Sequence, residues 1–226
     1  MAMAEPVARR TPLTRERVLR AAIDLADAEG LDALTMRRLA DRLSVEAMSI
    51  YHHVRGKDAI LAGALDLVFE DVGARAAAAP PLPPEQWRAV LRRRILIARE
   101  VLLLHPWAPR ALETSGVMTP AFATWVDGNV GAMSGGGLSF DLIHHAMHTL
   151  GSRQFGFSQE LILADSSEAK VDPEAAAAMA PLMPNVLAML GEVAHDDPDS
   201  VIGWCDDQSE FEFALDILLE GIERRR

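Results

Sequence analysis

Two short helical runs, TMRRLADRL and EAMSIYHHV, are separated by only Ser44 and Val45. In the first, Thr35 is placed as an N-cap, and Leu39, Ala40 and Leu43 share one face. In the second, Ile50 and Val54 meet at i and i+4. So short a link leaves a tight turn, and two short helices around a tight turn form a helix-turn-helix. The stretch before it, TRERVLRAAIDLADAEG, puts Val18, Ala21, Ala22, Leu25 and Ala26 on one stripe, with Thr14 as N-cap and Gly30 as the stop. After Arg55 and Gly56, Lys57 opens a longer helix with Ile60, Leu61, Ala64, Leu65, Val68 and Phe69 on its apolar side.

The rest of the chain keeps the helical period. AAAAPPLPPEQW, Ala76 to Trp87, is a linker, because its run of prolines cannot continue a helix. Helices are expected over about Pro84–Leu104, Trp107–Glu113, Thr119–Met133 and Ser139–Ala164, with SGGG at Ser134–Gly137 as a break. DSSEAKVDPEAAAAMAPLMP reads as a low-complexity connection, followed by helices near Asn185–Ala194 and Cys205–Glu223. With no alternating strand pattern and no internal repeat, the expected fold is all-α, divided into residues 1–60 and 61–226.

A chain of 226 residues can bury a substantial core. Its single cysteine, Cys205, rules out an internal disulfide. No apolar run reaches the length of a membrane helix, and no apolar stretch follows Arg9 and Arg10 as a signal peptide would require. The expected location is a reducing cytoplasm. The net charge of −11 argues against nucleic acid until its distribution is read. Residues 1–60 carry ten Arg and Lys against nine Asp and Glu, and residues 61–226 carry twelve against twenty-four. A locally basic arm on an acidic body is the footprint of a small DNA-reading module.

The second helix of a helix-turn-helix enters the major groove and the first braces it. Ala47, Met48, Ser49 and His52 then stand near the start of the reading helix. The small residues permit close approach, and Ala47 and Met48 can press thymine methyls. Tyr51 and His53 carry donors suited to phosphate oxygens, and Lys57 at a helix N-terminus suits another phosphate. Arg37 has the planar fork that fits a guanine edge.

Over Arg15–Leu65 the chain resembles the TetR family of transcriptional regulators. The resemblance is carried by AAIDLADAEGLDALTMRRLADRLSVEAMSIYHHVRGKDAIL, most specifically by Val45, Ile50-Tyr51, His53-Val54, Lys57 and Leu61. It implies that Thr35, Arg37, Tyr51, His53 and Lys57 contact DNA and that Ala47, Met48, Ser49 and His52 are the variable base-reading positions. Ser44 departs from the pattern, since a glycine is common there. The resemblance further implies that residues 61–226 form a helical ligand-binding and dimerisation domain, most similar to the tetracycline-repressor type around GLSFDLIHHAMHTLGSRQFGF, Gly137 to Phe157. That repressor's metal-binding histidine is not matched near Leu112, so no magnesium–tetracycline site is expected.

Trp107, Met118, Phe122, Trp125, Met133, His144, Met147, His148 and Phe155 are candidates to line a ligand cavity, because methionines and aromatics make adaptable apolar walls. Phe140 shares that composition, and Gln154 could supply a polar group. His144 and His148 at i and i+4 could also hold a metal, but no third ligand stands at a suitable spacing, so neither metal nor cofactor is expected. Gly135–Gly137 follows no strand and fails as a phosphate loop. Cys205 lies among acids, and no catalytic pair is present, so an enzyme built on the His144/His148 cluster is the rival class. Phe211, Leu215, Leu218 and Ile222 form a stripe expected to face a second copy. The function expected is a repressor released from a palindromic operator by an apolar small molecule; an activator would carry the same motif.

Overall fold

The computed structural model describes residues 12–155, 180–185, 188 and 207–226. Its α-helices are α1 (Arg15–Glu29), α2 (Met36–Leu43), α3 (Ala47–Tyr51), α4 (Lys57–Ala78), α5 (Trp87–Leu104), α6 (Ala108–Ser115), α7 (Pro120–Gly135), α8 (Phe140–Phe155) and α9 (Asp207–Glu223). Among the described residues there is no strand, and the all-α expectation holds. The basic arm at Arg9 and Arg10, most of the Ala- and Pro-rich connection, most of the Asn185–Ala194 helix, Cys205 and the extension of α8 to Ala164 lie outside the described residues.

The sequence signals act where they stand. Thr14 caps α1 by accepting from Arg17 N at 3.2 Å, and Thr35 caps α2 by accepting from Arg38 N at 3.3 Å. Ser139 does the same for α8, accepting from Leu142 N at 3.3 Å. Each cap satisfies one of the orphan donors of a helix start.

The turn between α2 and α3 rests on Ser44, which adopts the left-handed conformation at φ 55° and ψ 46° and donates its N–H to Ala40 and Asp41 carbonyls. Among the described residues it is the one non-glycine with positive φ. That conformation crowds a Cβ against the backbone. Ser44→Gly is therefore expected to stabilise the protein by about 1 kcal/mol net of glycine's greater unfolded freedom. In a thermal melt this is a rise of about 2–4 °C, and no rise would mean the turn is not strained.

The reading helix differs from the sequence expectation. It ends at Tyr51 and does not continue to Val54. The N–H groups of His53 and Val54 both converge on Ile50 O at 2.9 Å. The chain then drops Val54 into the core and turns through Gly56, at φ 91°, into α4. A side chain at Gly56 would be strained, so the exit from α3 is fixed by that glycine.

The described residues pack as two compact units. The first holds everything described up to Pro83 together with Arg93–Ala132; the second holds Pro84–Arg92 and everything described from Met133 on. In the first, Val18, Leu19, Ala22 and Leu25 of α1 form a core with Leu39 and Ile50 of the motif and with Ile60, Ala64 and Leu65 of α4. Further along α4, Asp66 accepts from Ala121 N of α7 at 2.8 Å, and the rings of Phe69 and Phe122 lie 4.7 Å apart. Asp66 thus serves as a cap for α7 contributed by another helix, and a carboxylate suits that helix end.

In the second unit, Ile143, Ala146 and Leu150 of α8 and Phe211, Leu215, Leu219 and Ile222 of α9 are buried. The first turns of α5 brace α9 with polar bonds. Trp87 Nε1 donates to Glu223 Oε2 at 2.9 Å, Arg92 Nε donates to Asp216 Oδ1 at 2.7 Å, and Arg92 Nη2 donates to Glu212 Oε2 at 2.6 Å. The two carboxylates raise the Arg92 pKa. Hydrogen bonds from Gln208 and then Arg92 hold Glu212 below its ordinary value of 4.5. A carboxylate depressed in the folded state stabilises fully above its unfolded value and loses that contribution as pH falls through the folded value. The urea midpoint of Arg92→Met should therefore lie furthest below wild type at neutral pH, and the gap should narrow as pH falls below 4.5. A gap independent of pH would assign Arg92 a packing role alone.

Candidate nucleic-acid interface

α3 is anchored by one fully buried side chain, Ile50, and offers most of the rest outward. Met48, Tyr51, His52 and His53 are exposed, while Ala47 and Ser49 are half-buried. Helical spacing pairs Ala47 with Tyr51 and Met48 with His52, so a reading face runs from the small residues to the aromatic ones. His53 lies past the end of the helix, in the turn. Arg37 stands exposed in the first turn of α2, beside Thr35, whose hydroxyl oxygen already accepts the cap bond and whose O–H remains available to donate.

The cations of this region fall into two groups. Arg20 pairs with Glu16, and Arg38 of α2 pairs with Glu29 at the end of α1, which fixes the bracing helix. Arg37, Arg42, Arg55 and Lys57 are exposed and have no carboxylate partner among the described residues. Arg42 and Arg55 were not among the expected contacts. Their signal lay in the sequence as RGK and the end of TMRRLADRL, but charge alone does not distinguish a paired arginine from a free one. Lys57 is the first residue of α4, whose start has no side-chain cap. A helix N-terminus with free N–H groups beside an ammonium is a place for an anion.

The candidate cavity residues are distributed over both units: Trp107, Met118, Phe122 and Trp125 in the first, Met133, His144, Met147, His148 and Phe155 in the second. Trp125 and Met133 are buried, and Phe122, Met147 and Phe155 are half-buried. Trp107 is buried too, and its indole N–H donates to Asp27 Oδ1 of α1 at 2.6 Å; His105 Nδ1 stands 2.9 Å from the same oxygen. Met118 is exposed, and so are His144 and His148, whose rings meet edge-on at 4.8 Å. These three are exposed in the single chain, so any contact they make with a ligand would be at an open face. Among the described residues, no three His, Cys, Asp or Glu side chains gather as a metal site.

The stripe expected to meet a second copy lies mostly inside the second unit. Phe211, Leu215 and Ile222 are buried within the chain's own second unit, with Leu218 partly covered. An apolar stripe must be covered, and here α8 packs against α9 while α5 bonds to its polar flank. The exposed large apolar side chains among the described residues of this unit are Phe140 at 75%, Leu182 at 73%, Phe213 at 64% and Ile217 at 53%.

Two family models match the chain. Residues 18–64 match bacterial regulatory proteins of the tetR family, and residues 79–226 match the tetracyclin repressor-like C-terminal domain. The chain belongs to the TetR family. An HTH-type transcriptional regulator of Saccharopolyspora erythraea is 39% identical over 108 residues, 48% of this chain and 44% of that protein, so the match spans less than half of that relative. The repressor DrrR1 of Streptomyces coeruleorubidus is 28% identical over 222 residues, 93% of this chain and 77% of its own. ActR of Streptomyces coelicolor is similar in structure, both without ligand and in complex with (S)-DNPA. The two comparisons give 26% and 25% identity, each at a TM-score of 0.70, covering 94% and 96% of this chain and 95% and 100% of that one. A transcriptional regulator with an N-terminal helix-turn-helix and a helical C-terminal domain is the identity these matches establish. They give the enzyme alternative no support. No helix among the described residues is long and apolar enough to cross a membrane.

Proposed function

We propose that this TetR-family protein is a homodimeric repressor that binds a palindromic operator and is released by a small molecule. The observation that carries the reading is an exposed α3 and an uncapped α4 start in a segment whose Arg37, Arg42, Arg55 and Lys57 are exposed with no carboxylate partner among the described residues, in a chain of net charge −11. In this reading residues 1–60 read DNA: Arg37, Ala47, Met48, Ser49 and His52 meet base edges, and Thr35, Tyr51, His53 and Lys57 hold phosphates. Residues 61–226 bind the effector and pair the protomers. Support for an effector comes from the ActR complex with (S)-DNPA and from the half-buried and buried aromatics Phe122 and Trp125.

The switch runs through α4. Its first residue stands at the proposed phosphate contact, and its later turns are tied to α7 by Asp66 and Phe69. The Asp27 bonds to Trp107 and His105 tie α1 to the α5–α6 junction. A ligand that favours one placement of these helices over the other shifts operator affinity by its differential binding, tenfold for about 1.4 kcal/mol. Selection of bound duplexes from a random pool tests the DNA half. The expected product is a two-fold symmetric site with half-sites about 34–36 Å apart. A pool that shows no enrichment overturns the reading.

A further inference from the structure

Arg94 occupies the core phase of α5. Leu91 three residues before it, Ala98 four after and Val101 seven after are all buried, so the guanidinium is carried on the inward stripe of the helix. Burial pulls its pKa below the ordinary value. Every partner it has is neutral. Its Nε donates to Asn129 Oδ1 at 2.6 Å, its Nη2 donates to Trp125 O at 3.0 Å, and its Cζ lies 4.3 Å above the centroid of the Trp125 ring. Asn129 and Trp125 are themselves buried. Among the described residues none brings a carboxylate to Arg94. Arg92, two residues earlier, holds two of them.

The guanidinium lies close against Gly128: a Cβ there would stand 2.5 Å from Arg94 Nη2, so a side chain at that position would displace the fork. Among the described residues Nη1 has no hydrogen-bond partner, and it reaches solvent. A cation half removed from water without a counter-charge carries part of that desolvation cost, and its neutral partners return only some of it. The arrangement becomes favourable when an anion arrives on the open nitrogen, and the low dielectric then strengthens the pair. The Trp125 ring, itself buried, lies beneath the fork and makes its surroundings apolar.

We propose that the effector is a ring-bearing organic anion whose acidic group is bound by Arg94 Nη1 while its rings pack beside Trp125. This rests on the reading that residues 61–226 bind a small molecule, and the test separates the two. Two fluorescent dyes share one framework: 8-anilinonaphthalene-1-sulfonate carries an acid, and N-phenyl-1-naphthylamine does not. Both are titrated against the full chain, wild type, Arg94→Gln and Arg94→Met. The expected result is one dye per protomer, with the sulfonate bound at least tenfold more tightly than the neutral dye by wild type. Either substitution should erase that preference and leave the neutral dye within about twofold, which also reports an intact fold. Arg94→Met, which keeps an apolar stem over Trp125, carries the test should the glutamine variant fail to fold. Indole-3-acetate should displace the bound sulfonate from wild type more effectively than indole-3-acetamide does. Equal affinities for the two dyes in wild type, or an unchanged ratio in the variants, overturns the proposal and leaves Arg94 as a brace between α5 and α7. If neither dye binds, the small-molecule reading falls with it.

Discussion

Replacing Lys57 by alanine is expected to weaken binding to every DNA sequence alike and to flatten its salt dependence. Lys57 opens α4, no side chain caps that start, and no carboxylate pairs with the ammonium among the described residues. Both features point to a phosphate, which carries no sequence information. Each phosphate neutralised contributes about 0.9 to the slope of log K against log salt, so the loss is about 0.9 per protomer and 1.8 for a dimer. Arg37→Ala should behave differently. A bidentate base contact is worth about 1–3 kcal/mol of discrimination, so preference should relax at one base pair in each half-site while the rest of the site is unaffected. Gel shifts over a salt series on the selected operator and its single-base variants check both. A Lys57→Ala protein with wild-type affinity and slope would remove α4 from the interface.

The DNA half was legible because local signals there agree with each other. Thr14 and Thr35 both cap the helices they precede, and the stripes on α1, α2 and α4 are the ones buried. The departure at Ser44 was visible as a residue type, but its left-handed backbone was not, since a serine reads as an ordinary turn residue. The early end of α3 was missed for a related reason. Ile50 and Val54 keep helical spacing, yet Val54 reaches the core through a turn. In the C-terminal half, periodicity identified which stripe of α9 is apolar but not what covers it: Phe211 and Leu215, expected to face a second copy, are already buried in the single chain, where α8 packs against α9. Residue type made Met118, His144 and His148 cavity candidates but did not reveal that they are exposed in the single chain. It also hid Arg94. An arginine reads as surface by default, and only its phase against Leu91, Ala98 and Val101 marks it as inward.

Phe213→Glu with Ile217→Glu is expected to convert a dimer into a monomer of 24.6 kDa at micromolar concentration, as read by light scattering. The argument starts from the three faces of α9. One face is buried within the chain by Phe211, Leu215, Leu219 and Ile222. A second presents Glu212 and Asp216 to Arg92. The third carries Phe213 and Ile217 at i and i+4, exposed at 64% and 53%. Two large apolar side chains one turn apart on a rigid helix make a contiguous patch that a monomer has little reason to leave in water. Burial is worth about 1.5–3 kcal/mol for each such side chain, and a two-fold contact uses each one twice. The substitution places four carboxylates in that contact without disturbing the buried stripe, so helix content should be unchanged. Operator affinity should fall by about 10²–10⁴-fold, because each reading head then binds without the other. Phe211→Ala separates this face from the inner one. It should lower folding stability by about 3–5 kcal/mol through a cavity, with assembly reduced only as far as folding is. If the double glutamate variant stays dimeric while Phe211→Ala dissociates with its fold intact, the pairing face is the inner stripe and the third face of α9 has another occupant.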